Sequence, residues 1–163
     1  MLSLAGIDPI GRETMHRRNM LTAATAAIGA LFAAAGKTAR AAPTTPDKSK
    51  VVYHLSDYDK VDSVLGTIKN HYEGVGGPDN VTIVLVVHGS ALKAFHTDQA
   101  TASTLQRTDE FSKSGLELNA CINSMRSQNV SLKDLVPGFV VADRGAVVRI
   151  AELQSQGYVY LRP

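Results

Sequence analysis

The chain has 163 residues, of which 44% are hydrophobic and 20% are charged, and its net charge is +2. This length suits one globular domain with a core of its own. The charge is too small to indicate a nucleic-acid-binding surface, and the single cysteine excludes a disulfide within the chain.

The first 41 residues have the pattern of an export signal. Arg17 and Arg18 precede a weakly apolar, alanine-rich run at residues 23–35, and an Ala-x-Ala sequence ends at Ala41. Paired arginines before a leucine-poor middle indicate the twin-arginine route. The run is shorter than the roughly 20 apolar residues that span a bilayer, so the membrane is expected as a partner only during export.

We therefore predict a periplasmic protein that is cleaved after Ala41. Met15 offers a second start position, which would make residues 1–14 an overextended start. Five of the 17 basic residues and two of the 15 acidic residues precede residue 42, so the predicted mature chain has a net charge of −1. Residues 42–50 are rich in Pro, Thr and Lys and are predicted to form a flexible linker to one domain at residues 51–163.

Strand patterns and amphipathic helical patterns alternate along this domain. Short apolar or alternating runs predict strands at residues 51–55, 81–87, 116–121, 139–142 and 158–161. Apolar residues at helical spacing predict helices at residues 61–72, 101–111, 122–129 and 146–153, and shorter helical turns at 92–95 and 132–136. Ser56 and Asp57 are predicted to cap the first helix.

Five alternations of strand and helix predict a three-layer α/β/α sandwich, with a mainly parallel, five-stranded, flavodoxin-like sheet. Residues 81–87 are apolar nearly throughout, so this strand is expected to be buried on both faces. Ligands and chemistry gather beyond the carboxyl ends of the strands in such sheets. The polar residues predicted at that edge are Ser56, Asp57, His88, Cys121, Asp143 and Arg144.

Cys121 is the main candidate for chemistry, because it lies where a predicted strand ends and a predicted helix begins. The backbone amides of Asn123 and Ser124 are expected to point at its sulfur. A helix N-terminus carries partial positive charge and free N–H donors, which favours a thiolate over a thiol. The position suits a nucleophile or sulfur carrier, and the alternative is a cysteine that only packs in the core.

Other polar side chains are candidates for assisting roles. His88 is a candidate base or hydrogen-bond donor to the sulfur, or else a histidine satisfied by backbone at a strand end. Arg126 either adds positive charge to a binding site with Asn123 and Ser124 or is a solvated surface residue. No two histidines stand at i, i+3 or i, i+4, so no metal site is expected, and the other histidines of the predicted domain, His54, His71 and His96, are interpreted as incidental.

Several segments resemble the DsrE/DsrF-like family of sulfur-relay proteins. They are the Val-His-Gly sequence at residues 87–89, the Glu-Leu-Asn-Ala-Cys-Ile-Asn-Ser-Met sequence at residues 117–125, the Leu-Val-Pro sequence at residues 135–137 and the tail at residues 150–163. The resemblance implies a five-stranded α/β/α domain that assembles as trimers or hexamers. It also implies that Cys121 accepts sulfane sulfur as a persulfide and passes it on, with sulfur donor and acceptor proteins or small sulfur compounds as partners.

Two other functions remain open. One is a non-catalytic oligomeric binding or assembly protein, in which the cysteine is buried at a subunit interface. The other is a flavin- or nucleotide-binding module, which this type of sheet often forms. The loop at residues 54–60 argues against the second, because it has no glycine and its two aspartates would repel phosphate. We therefore expect no bound cofactor.

Overall fold

The computed structural model of the chain describes residues 48–163. The predicted signal, and the predicted linker as far as residue 47, lie outside the described residues. The last two residues assigned to the linker, Ser49 and Lys50, instead begin the first strand. Within residues 48–163, no helix is long and apolar enough to cross a membrane.

Strands and α-helices alternate along the described residues, with bounds within two residues of those predicted. The strands are β1 (Ser49–Leu55), β2 (Val81–Val87), β3 (Glu117–Cys121), β4 (Phe139–Ala142) and β5 (Val159–Leu161). The helices are α1 (Val61–Gly74), α2 (Ala102–Lys113), α3 (Ile122–Gln128) and α4 (Ala146–Ser155). Short 3-10 helices lie at Tyr58–Lys60, Pro78–Asn80, Gly89–Phe95 and Leu132–Asp134.

The sheet is parallel throughout, and its strand order is β4-β3-β2-β1-β5. The predicted five-stranded parallel sheet with helices on both faces is therefore confirmed. Because crossovers between parallel strands are right-handed, the steps from β1 to β4 in one direction place α1, α2 and α3 on one face. The return from β4 to β5 at the opposite edge places α4 on the other face.

The two faces bury cores of unequal size. Ile83, Leu85 and Val87 of β2 face the larger core under α1, α2 and α3, while Val84 and Val86 face the smaller core under α4. All five side chains are fully buried, which confirms that β2 is covered on both faces. Since α4 alone covers the second face, that face stays partly open along its edges.

The predicted cap of the first helix is wrong. A 3-10 turn at Tyr58–Lys60 precedes α1, and the side chain of Asp57 makes no capping hydrogen bond. The hydroxyl of Ser56 instead donates to the Asp57 carboxylate and accepts from the guanidinium of Arg162, which follows β5. The polar pair after β1 thus joins the first strand to the chain's last residues, because β5 lies beside β1.

A polar network crosses the α4 side of the sheet next to Cys121. Asn119 is 1% exposed, and its side-chain oxygen accepts from Nε of Arg149 at 2.7 Å. Its amide nitrogen donates to the carboxylate of Glu117 at 2.8 Å, and Arg149 donates to the same carboxylate at 2.8 Å. Every polar atom of the buried Asn119 side chain therefore depends on Glu117 and on Arg149 of α4.

We expect Arg149→Met to lower the free energy of unfolding by about 1–3 kcal/mol, because it leaves the buried oxygen of Asn119 without a donor. Urea denaturation measures the change. Arg107→Met is the matched control, since Arg107 makes only exposed contacts with Asp62, an ion pair at 4.0 Å and a hydrogen bond to its backbone oxygen at 3.2 Å, and its effect should stay within about 0.5 kcal/mol. Equal effects of the two substitutions would show that the network does not stabilise the sheet.

Candidate functional site

The carboxyl ends of the strands bring the predicted polar residues to one edge of the sheet. Leu55 pairs with Val87, and Val87 pairs with Ala120, so that Ser56, His88 and Cys121 follow at neighbouring strand ends. Cys121 itself pairs with Ala142, the last residue of β4. Asp143 and Arg144 come directly after it, as the sequence predicts.

An open cleft of about 530 Å³ lies at this edge between the starts of α3 and α4. Of the predicted site residues, it brings together Cys121, His88, Asn123 and Ser124. The cleft also contains residues that the sequence interpretation did not place in the site, namely Ser127, Gly145, Ala146, Val147 and Val148, together with Arg144 from the predicted polar edge.

Cys121 lies at the bottom of this cleft and is 4% exposed. It is the N-cap residue of α3, and with φ −66° and ψ 122° it keeps the extended conformation of β3. Its other neighbours are the apolar side chains of the smaller core, including Val86 and Ile150. The sulfur therefore lies at the boundary between an apolar core and a solvent-filled cleft.

Hydrogen-bond donors from two helices converge on this sulfur. Burial by itself would raise the pKa of Cys121, but the backbone N–H groups of Ser124, Ala146 and Asn123 and the Ser124 hydroxyl outweigh it and lower the pKa. The Ala146 nitrogen is 3.3 Å from Sγ. The Ala146 N–H, at the start of α4, is a donor to the sulfur that no local pattern around the cysteine indicates.

Gly145 makes room for this convergence. Its φ of +88° favours glycine, and a Cβ at this position would lie 2.8 Å from Nδ2 of the Asn123 side chain and 3.9 Å from the Cys121 sulfur. A larger residue would crowd the wall of the cleft. The glycine therefore lets the chain turn from β4 into α4 directly beside Cys121.

Ser124 connects the end of β2 to the thiol. It is 8% exposed, and its hydroxyl oxygen accepts from the backbone N–H of Gly89 at 2.8 Å. The same hydroxyl also contributes to the lowered pKa of Cys121. The loop that follows β2, including His88, is thereby held against the start of α3.

His88 is paired with His54, which the sequence interpretation treated as incidental. The two Nε2 atoms are 2.5 Å apart, and Nδ1 of His54 is 2.7 Å from the hydroxyl oxygen of Tyr160. His54 is therefore not incidental: it connects the candidate base to β5. The two histidines are 34 residues apart in sequence, so spacing along the chain gave no sign of the pair.

Burial and nearby charged residues lower the pKa of both histidines of this pair. Burial is the largest cause that lowers the pKa of His54 to about 4, followed by the charges of His88 and Arg162, while Asp57 opposes the shift. Burial and then Arg162 also lower the pKa of His88, again against Asp57. Arg162, which the sequence interpretation missed as a site residue, lies here because β5 is the neighbour of β1.

The two arginines of the predicted site differ in placement. Arg126 is exposed on α3 and does not line the cleft, so the structure does not bring it to Cys121. Arg144 lines the cleft and forms an ion pair with Glu152 of α4. The cation that lines the cleft therefore comes from the turn after β4.

No group of three or more metal-binding side chains occurs among residues 48–163. Another cavity, of about 780 Å³, lies beside α3 and contains Lys93, His96 and Lys133. His96 is buried there and hydrogen-bonded to Gln128 at 2.8 Å. This histidine is satisfied by its neighbours, and nothing else about the cavity indicates a particular ligand.

Two solved structures share this fold. The structure of MTH1491 from Methanobacterium thermoautotrophicum, a protein of unknown function, is similar with a TM-score of 0.62 and 23% identity. The YchN protein from E. coli is similar with a TM-score of 0.52 and 13% identity, and each match covers 71% of this chain and 99% of the other. No family model and no curated protein matches the sequence. At these identities the likeness shows the fold, so this chain has the same type of parallel α/β fold as both structures.

Proposed function

We propose that the protein is an exported sulfur carrier, which accepts sulfane sulfur as a persulfide on Cys121 and relays it in periplasmic sulfur metabolism. The observation that carries the proposal is the set of N–H donors that lowers the pKa of Cys121 at the bottom of an open cleft. Sulfur transfer needs an ionised sulfur, and this arrangement favours the ion.

The proposed step is an exchange between sulfur atoms. The Cys121 thiolate attacks the outer sulfur of a donor persulfide, a new S–S bond forms, and the donor's S–S bond breaks with its electron pair left on the donor thiolate. Attack by an acceptor thiolate on the outer sulfur of the Cys121 persulfide then releases the Cys121 thiolate. Both transfers are redox-neutral, so they need no external oxidant or reductant.

The cleft suits a small anionic sulfur compound or an extended tip of a partner protein. Its polar surface combines the start of α4, the side chain of Asn123 and the guanidinium of Arg144. Helix starts and guanidinium groups both attract anions. The depth of Cys121 means that only a narrow group reaches the sulfur without movement of α4.

A second candidate function is a non-catalytic assembly protein, and the 4% exposure of Cys121 favours it. In either function we propose a homotrimer or homohexamer. Support comes from exposed apolar residues, since Val147 of α4 is 75% exposed, Val140 of β4 is 47% exposed and Val159 of β5 is 59% exposed. Apolar side chains of this kind are commonly covered in an assembly.

The carrier function predicts a persulfide on one atom. Purified protein treated with inorganic polysulfide should gain the mass of one sulfur atom, because the Cys121 thiolate is the only cysteine sulfur in the chain. Intact mass spectrometry measures the gain, and Cys121→Ser is expected to show none. An unmodified wild-type mass with every sulfane donor tried would remove the carrier function.

A matched pair of serine variants tests the origin of the low pKa in the same assay. Ser124→Ala removes a hydroxyl that lowers the pKa of Cys121, so it should raise that pKa and slow sulfur loading at neutral pH. Ser127→Ala also lies in the cleft, but its hydroxyl bonds to the backbone oxygen of Ser124 and should leave the rate unchanged. Thiolate absorbance against pH separates the two, and identical titration curves would contradict the assignment.

The assembly function predicts a different reaction of the thiol. If Cys121 is sealed in an interface, a small alkylating reagent should modify the native protein only after denaturant is added. Val147→Asp should then lower the fraction of oligomer measured by sedimentation and, at the same time, make the Cys121 thiol accessible to the reagent. Rapid alkylation of the native oligomer would instead exclude this second function.

Export predicts a new amino terminus. In the bacterium that makes the protein, the mature form should begin at Ala42 and be found in the periplasmic fraction. Replacement of Arg17 and Arg18 by lysine should leave the full-length precursor in the cytoplasm. Amino-terminal sequencing of the purified protein tests this. A purified protein that still contains Arg17 and Arg18 would refute the signal.

A further inference from the structure

Two histidines and a tyrosine form a hydrogen-bonded chain that ends beside the cleft. His54 lies between the other two, with Nε2 at 2.5 Å from Nε2 of His88 and Nδ1 at 2.7 Å from the hydroxyl oxygen of Tyr160. The imidazole centroids are 4.7 Å apart, and the ring planes differ by 18°. A centroid distance so much longer than the N–N distance places the rings head to head in nearly one plane. The two nitrogens therefore share one proton along a straight line.

This chain has two tautomeric forms, which differ by the shift of every proton along it. In the first form, Tyr160 donates to Nδ1 of His54, and His54 donates from Nε2 to His88, which leaves an N–H at Nδ1 of His88. In the second form, His88 donates from Nε2 to His54, and His54 donates from Nδ1 to Tyr160. Nδ1 of His88 is then an acceptor, so this atom alternates between proton donor and proton acceptor.

Both forms require neutral imidazoles, and the surroundings of the pair provide them. Burial lowers the pKa of both histidines, and Arg162 lowers both further, against the opposing charge of Asp57. With the pKa of His54 at about 4, the chain carries no net positive charge at neutral pH. A neutral imidazole has one donor and one acceptor nitrogen, which is what proton transfer along the chain needs.

We propose that Tyr160, His54 and His88 form a proton relay between solvent and the sulfur chemistry of Cys121. The relay rests on the proposed function and adds a proton path to it. His88 lines the cleft that contains Cys121, and Tyr160 at the other end is 37% exposed to solvent. The relay thus leads from the cleft, through the end of β1, to the outer edge of the sheet.

The step that uses the relay is protonation of the leaving thiolate. When the Cys121 thiolate attacks a sulfur of the donor, the donor's S–S bond breaks and a thiolate leaves with the electron pair. Nδ1 of His88 gives its proton to that thiolate, His54 gives its Nε2 proton to His88, and Tyr160 gives its hydroxyl proton to His54. Water returns a proton to Tyr160, which leaves the second tautomer. When the acceptor thiol then enters the cleft, Nδ1 of His88 takes its proton, the opposite shifts follow along the chain, and Tyr160 releases a proton to water, which restores the first tautomer.

Two reagents separate the proton step from the attack by sulfur. Bis(2-hydroxyethyl) disulfide leaves as an alkyl thiolate that takes up a proton at neutral pH, whereas methyl methanethiosulfonate leaves as a sulfinate that needs none. For the full-length protein, we expect His88→Gln to slow the disulfide reaction by about a hundredfold, the lower end of a general acid's contribution. We expect about tenfold for His54→Gln, since water partly replaces the lost imidazole. Neither substitution should change the rate with the thiosulfonate.

A solvent isotope effect distinguishes a relay from a merely structural role. The wild type should react more slowly in D₂O with the disulfide but not with the thiosulfonate, and His54→Gln and Tyr160→Phe should lose that difference. His71→Gln is the matched control, because His71 makes a similar hydrogen bond with Tyr53, at 2.8 Å, on the opposite face of the sheet. Its rates and isotope effect should equal those of the wild type.

Three results would overturn the relay. One is an equal loss of rate with both reagents in the His54 and His88 variants, which would indicate altered packing around Cys121. Another is that the native wild type reacts with neither reagent. The third is a metal ion that copurifies with the wild type and is lost in His54→Gln, which would make the pair a metal site. A relay that passes these tests in a protein that forms no persulfide would refute only the carrier function.

Discussion

The lowered pKa of Cys121 depends on backbone N–H groups from two helices that begin beside one sulfur. The first helix, α3, starts there because Cys121 ends β3 in an extended conformation and caps the turn that follows. The second, α4, arrives because β4 pairs with β3 and Gly145 turns the chain back over the strand ends. Burial opposes ionisation of the thiol, and N–H groups from both helix starts favour it. Parallel pairing of β3 and β4 is therefore a condition of the proposed chemistry and not only of the fold.

The sequence predicted the parts of this arrangement that depend on local pattern. Apolar periodicity located the strands and helices within two residues, and the rule that chemistry gathers at the carboxyl ends of parallel strands placed His88 and Cys121 at one edge. The strand order was not predictable in this way, because nothing local shows that β5 returns to lie beside β1. Contacts across that pair, such as Tyr160 with His54 and Arg162 with Ser56, join residues 106 positions apart and were missed for this reason.

Side-chain direction explains the remaining differences between the predicted and the observed site. Arg126 was considered because it is near Cys121 in sequence, yet it lies in the last turn of a seven-residue helix, where its side chain is exposed and outside the cleft. Arg144 is farther along the chain but lies in the turn that faces the sulfur. The burial of Cys121 follows from α4, which packs on the same side of the sheet as the cysteine. Which face a single helix covers is decided by the crossover order, so it was not available from a pattern around the cysteine.

The proposed chemistry places opposite demands on the same sulfur, and the uneven covering of the sheet meets both. A persulfide must be shielded, and α4 with the smaller core surrounds Cys121 on its inner side. The sulfur donor must still reach Cys121, and a proton must reach the leaving thiolate. The two arrive from different directions. The cleft between α3 and α4 admits the donor, while the chain from His88 to Tyr160 passes under no helix at its outer end, where Tyr160 is partly exposed. If a second helix covered this face as α1, α2 and α3 cover the other, the thiol would be equally well shielded but the proton would have no path to water.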